Sequence, residues 1–241
     1  MCIVTYFPTQ EGFFLTTNRD EKNTRQTAYP KAYKHQQHNL IYPKDCEKGG
    51  SWVAIHTTHK KMACLLNAKG DQPNHHEKIS RGKIPISLLL DEKTLSKREL
   101  LKKVSPFTLI YIQYFDEIRV QEYNWDGKNL NIALVDEKKS HLWASNTLYS
   151  ADEKSRLTKS FEKDVEKFIS PNDVVDFHNK NAQPLHNPIF LKKDRQLQTL
   201  SITSLQVTKK DEIISYTDLL KKSTREIKIL INKPLQKVLD A

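Results

Sequence analysis

The sequence predicts an α+β fold in which two antiparallel sheets pack together under outer helices. Three observations carry that expectation. Short alternating segments recur as hairpins at the start, middle and end of the chain. Helical segments occur in two pairs between them, each pair with a helix-start signal. No internal repeat or low-complexity tract divides the chain, so the order strands, two helices, strands, two helices, strands describes one domain over residues 1–241.

Taken in order, Cys2 to Phe7 alternates, with Cys2, Val4 and Tyr6 facing one way and Ile3, Thr5 and Phe7 the other. Pro8 to Gly12 is turn material, and Phe13 to Thr17 returns, bringing Asn18, Arg19, Asp20 and Glu21 back toward the chain start. Residues 22–39 are polar, carry Pro30, and read as an irregular excursion before a short strand at Leu40–Tyr42. Gly49 and Gly50 mark the entry to a strand at Trp52–Ile55, where the backbone needs either an unusual conformation or a close approach. Met62–Leu66 returns and ends at Asn67.

The period then changes. Pro85 suits the first turn of a helix running to Leu90, and Ser96 with Glu99 reads as a capping box opening a second helix to about Val104. Strands are expected at Phe107–Phe115, Ile118–Trp125, Asn129–Val135 and His141–Ala144, with Asp126-Gly127 as a turn. Ser150 and Glu153 form another capping box, before apolar positions Leu157, Phe161, Val165 and Phe168 at helical spacing. A shorter helix at Asp173–His178 precedes strands at Leu200–Val207, Glu212–Tyr216 and Ile227–Ile231.

Composition limits the function classes. With 37% hydrophobic and 9% aromatic residues the chain can bury a core. Mean hydropathy of −0.66 and the lack of a long apolar run predict no membrane span, and the N-terminus lacks the basic start of a secretory signal. Three cysteines without CxxC pairing point to a reducing, cytoplasmic setting. The net charge of +10 raises nucleic acid as a partner, but the lysines are scattered among acids and no basic-aromatic stripe forms. A lysine-rich solvated surface without a nucleic-acid partner is the expectation. His56 and His59, or His75 and His76, invite a metal reading, yet no matching Cys or His pair follows downstream, so no metal site and no cofactor are expected.

The candidate chemistry lies at the N-terminus. If Met1 is removed, Cys2 carries both a thiol and a free α-amine, whose pKa of roughly 7.7–8.0 suits a general base. Arg19 is placed to lower the thiol pKa, and Asp20 to hold the amine. Asn67 and Asn146 are the candidate oxyanion donors. Trp52 reads as core or pocket floor, and Arg81 as an anion contact or a helix-entry residue.

Met1-Cys2-Ile3, Thr17 to Glu21, Gly49 to Trp52, Leu65-Leu66-Asn67, Ser80-Arg81-Gly82 and, more faintly, Ala144-Ser145-Asn146 occur in order. This pattern resembles the NRDE family, whose eukaryotic members are the transport and Golgi organisation protein 2 group. The resemblance implies a four-layer αββα sandwich like that of N-terminal nucleophile hydrolases. It also implies cleavage of linear amide C–N bonds by Cys2, as in penicillin V acylase and conjugated bile salt hydrolase. On this resemblance Cys2 is nucleophile and base, Arg19 and Asp20 are its neighbours, and Asn67 and Asn146 contact the oxyanion or substrate. Asn18, Trp52 and Arg81 join as substrate contacts, and the partner is a small amide or acyl substrate. The alternative is a non-catalytic carrier of haem or an acyl or lipid ligand in the same pocket. One departure stands out: Leu200 occupies a position where the family tends to carry arginine.

Overall fold

A computed structural model of the chain describes residues 3–73, 78–168, 170–182 and 197–230. Strand β1 (Ile3–Thr9) and strand β2 (Gly12–Lys22) form the N-terminal hairpin. On one side β1 pairs with β10 (His141–Ala144). On the other, β2 pairs with β11 (Leu197–Thr208), followed by β12 (Asp211–Asp218) and β13 (Ser223–Leu230). The second sheet runs in chain order: β3 (Thr27–His35), β4 (His38–Asp45), β5 (Val53–His56), β6 (Lys61–Asn67), β7 (Phe107–Gln113), β8 (Arg119–Trp125) and β9 (Leu130–Val135). Every pairing in both sheets is antiparallel.

Alternation along the strands sorts the side chains into three apolar layers. Val4, Tyr6, Phe13 and Leu15 of the first sheet meet Ile41, Ile55, Met62, Cys64 and Ile110 of the second, so the sheets pack face to face. The outer face of the second sheet packs Ala63, Leu65 and Leu109 against α1 (Lys83–Leu90), a 3-10 turn at Glu92–Ser96, and α2 (Arg98–Leu101). The outer face of the first sheet packs Ile3 and Phe14 against α3 (Ala151–Val165) and α4 (Pro171–Ala182). The order is helices, sheet, sheet, helices: the expected αββα sandwich.

Helix starts follow local chemistry, with one exception. The Ser150 hydroxyl and the Glu153 carboxylate cap each other's backbone at α3, as expected. Ser170 and Asp173 do the same at α4, where Pro171 fills the first helical position. The capping box expected at Ser96 does not form. Its hydroxyl donates to the Lys93 carbonyl at 2.7 Å, Glu99 pairs with Lys102, and α2 is a single short turn after Lys97.

The reading of residues 22–39 as an irregular excursion is overturned by β3. This strand pairs with β4 along its length, and the register slips between Ala28 and Lys31, where Pro30 lies. A proline and several lysines fit there because β3 is an edge strand, whose outer groups need no ladder partner. The last expected strand position, Ile231, lies outside the described residues.

A buried polar chain ties α4 to the first sheet. His178 is fully buried, with Nε2 2.8 Å from Thr5 Oγ1 and Nδ1 2.6 Å from Asn18 Oδ1. Because Asn18 Oδ1 can only accept, Nδ1 carries the proton and Thr5 donates to Nε2. Burial depresses the His178 pKa to about 3, so the folded chain keeps this ring neutral where the unfolded chain, near the ordinary 6.5, protonates it. Its contribution is whole above that unfolded value and is lost as pH falls toward 3. Chemical denaturation is expected to show about 2 kcal/mol less stability at pH 5 than at pH 7 from this group. His178→Gln should flatten that difference; an unchanged pH dependence in the variant would contradict it.

Candidate functional site

Arg19 and Asp20 are consecutive on β2 yet both line one cavity of about 510 Å³. The partner strand bulges at this point. Arg19 pairs with Ser201 and Asp20 with Thr199, leaving Leu200 as the extra residue on β11. Leu200, the position where arginine was expected, is thus the buried bulge residue between the partners of Arg19 and Asp20.

Arg19 is almost wholly buried and crosses between the sheets. One of its amines meets Asp45 Oδ2 at 2.8 Å, the other donates to the Arg25 carbonyl at 3.1 Å, and the guanidinium carbon stands 5.1 Å from the Trp52 ring centre. Arg25 meets the same Asp45 oxygen at 2.8 Å and Glu21 at 2.6 Å. The remaining Asp45 oxygen accepts the main-chain N–H groups of Glu47 and Lys48. Burial would raise the Asp45 carboxyl, but the Lys48 N–H and the two arginines outweigh it and hold the pKa below the ordinary range. Asp20 has the opposite balance: burial raises its pKa, while the 2.6 Å hydrogen bond from Thr199 pulls it back.

The opposite wall depends on two glycines. Gly49 adopts φ +70, a left-handed conformation that favours glycine. A Cβ on Gly50 would stand 2.5 Å from the Gly82 carbonyl group, so the 50–51 backbone can approach 81–82 only without a side chain. There the Ser51 N–H donates to the Gly82 carbonyl at 2.8 Å, and Trp52 and Arg81 flank the same cavity.

The structure therefore brings together Arg19, Asp20, Trp52, Asn67 and Arg81. Asn67 closes β6, and its carbonyl accepts the Ser145 hydroxyl at 2.8 Å. Asn146 follows that serine but is not among the lining residues, and Asn18 turns the other way, to His178. Cys2 lies outside the described residues. Of the other thiols, Cys64 is buried between the sheets with its pKa pushed up to about 12 by burial, and Cys46 is exposed. Asp45, Arg25, Thr199 and Ser105 line or frame the cavity without any signal in the sequence, since each arrives by long-range strand pairing or a loop. His56 and His59 are joined by His38, whose Nδ1 is 3.0 Å from His56 Nε2; the three offer ring nitrogens within 4.8 Å of one another. His75 and His76 lie outside the described residues.

Because one partner of a buried pair cannot be removed cheaply, Asp45→Ala is expected to destabilise the fold by about 3 kcal/mol or more. Arg25→Gln, at a side chain 25% exposed, should cost below about 1 kcal/mol. Urea denaturation checks the ranking, and equal effects would contradict it.

No curated protein matches this chain. Among solved structures it is similar to Anbu from Hyphomicrobium sp. strain MC1, at 8% identity and a TM-score of 0.39, over 96% of this chain and 88% of that one. A mutant form of the same Anbu gives a TM-score of 0.40 at the same identity and coverage. The model of the family described as Transport and Golgi organisation 2 matches residues 1–234, nearly the whole length, and the chain belongs to that family.

Proposed function

We propose that this protein is a cysteine amidohydrolase of linear C–N bonds, with Cys2 as nucleophile after Met1 is removed. The supporting observation is the cavity at the Arg19–Asp20 end of β2, beside the start of β1. Ile3, the residue bonded to Cys2, pairs with Ala144, and the next residue, Ser145, hydrogen-bonds the carbonyl of cavity-lining Asn67. The register Val4–Thr17 puts that same start level with Asn18.

In this reading the free α-amine takes the Cys2 proton and the thiolate attacks the substrate carbonyl. Asn67, which lines the cavity, is the proposed donor to the oxyanion. The ammonium then returns its proton to the leaving amine as the C–N bond breaks, leaving a thioester. Water, deprotonated by the same amine, attacks the thioester and releases the acid and the thiol. Asp20 steadies the amine, and Arg19 favours the thiolate, its field reduced by its pairing with Asp45. We place this activity in the cytoplasm.

Mass spectrometry of the purified chain should show Met1 absent and iodoacetamide reacting with Cys2 ahead of exposed Cys46 and buried Cys64. Hydrolysis in a panel of simple N-acyl amides should vanish in Cys2→Ala. Retained Met1, or a residue-2 thiol no more reactive than Cys64, would contradict the proposal.

A further inference from the structure

The cavity is lined by five cationic side chains, Arg19, Arg25, Lys48, Lys78 and Arg81, against three carboxylates, Asp20, Glu21 and Asp45. Among the described residues the imbalance falls on Lys78 and Arg81. Arg19 and Arg25 share Asp45, whereas Arg81 is half-buried and donates one hydrogen bond, to the Pro106 carbonyl at 3.1 Å. Among the described residues no carboxylate lies within ion-pair distance of Arg81. Trp52 Nε1 and Ser105 Oγ, on residues lining the same cavity, are shielded from water and likewise have no hydrogen-bond partner. Cationic side chains thus outnumber carboxylates in the lining, and a bound anion would offset that excess.

Resting on the amidohydrolase reading, we infer that the substrate is an N-acyl compound carrying a carboxylate, which Arg81 receives. A planar guanidinium with most of its donors open matches the two oxygens of a carboxylate in a fork. Burial, and then the Arg25 cation nearby, push the Arg81 pKa down against the opposing pull of Glu21, so an arriving anion relieves a desolvated charge. Trp52 and Ser105 line the same cavity. Asp20 and Glu21 oppose a more highly charged group, which favours a single carboxylate over a phosphate.

The test is titration calorimetry on the full chain carrying Cys2→Ala, using N-hexanoylglycine, its neutral carboxamide and inorganic phosphate. The carboxylate is expected to bind on the order of ten- to a hundredfold tighter than the carboxamide, as for a charge-assisted hydrogen bond. Arg81→Gln should remove that preference, Arg81→Lys should restore only part of it, and thermal melts establish that each variant is folded. Equal binding of acid and amide, or a preference that survives Arg81→Gln in the folded variant, overturns the inference. Phosphate binding more tightly than the carboxylate overturns it in favour of a phosphoryl group. Hydrolysis is scored separately on the chain with Cys2 intact. Carboxylate binding without turnover sinks the amidohydrolase reading alone, and turnover of neutral amides indifferent to Arg81→Gln sinks this inference alone.

Discussion

Arg19 on one sheet and Asp45 on the other are joined across the gap between the two layers, and the cavity is arranged around that pair. Two stacked sheets bury each other by apolar area alone, as the Val4, Leu15, Ile55 and Cys64 layer shows. Area is non-directional, however, and does not set where the sheets part. The ion pair does so, because a buried guanidinium must find its carboxylate, and Asp45 in turn gathers the Glu47 and Lys48 N–H groups and Arg25. The 45–51 loop is thereby pinned beside β2, and Gly50 lets it touch the Gly82 backbone. Trp52 and Arg81 take their places from those two constraints.

The same physics explains why the cavity is polar while the layers above and below it are not. On the outer face of the first sheet, His178 between Thr5 and Asn18 satisfies polar groups that would otherwise be stranded under α4. Where Arg19 and Asp20 line the cavity, the neighbouring strand β11 carries its bulge at Leu200. The bulge residue Leu200 is itself apolar and buried.

Much of the fold was legible in the sequence because it is written in local periods. The alternation of Ile3 to Phe7, the Ser150–Glu153 capping box and the apolar stripe through Leu157 and Phe161 each reappear as read. The failures have local causes. Thr27–His35 hid its strand because an edge position tolerates Pro30 and lysines, and Ser96 offered a cap but spent its hydroxyl on Lys93. For the site, the strand-end residues Arg19, Asp20 and Asn67 and the glycine-linked Trp52 and Arg81 were readable as motifs. Asp45, Arg25, Thr199 and Ser105 were not, since their roles arise from contacts between segments far apart in the chain. The direction of Asn18 toward α4 was equally hidden, for it depends on where His178 lands.

The proposed hydrolysis requires a thiol at residue 2 to form a covalent acyl intermediate, and that intermediate can be trapped. Acid-quenched intact and peptide mass spectrometry, after brief incubation with N-acyl amides, should reveal an acyl group on the peptide that begins with Cys2, labile to hydroxylamine as a thioester is. An acyl group found only on Cys46 or a lysine, or none on Cys2 while the substrate is consumed, would contradict that mechanism.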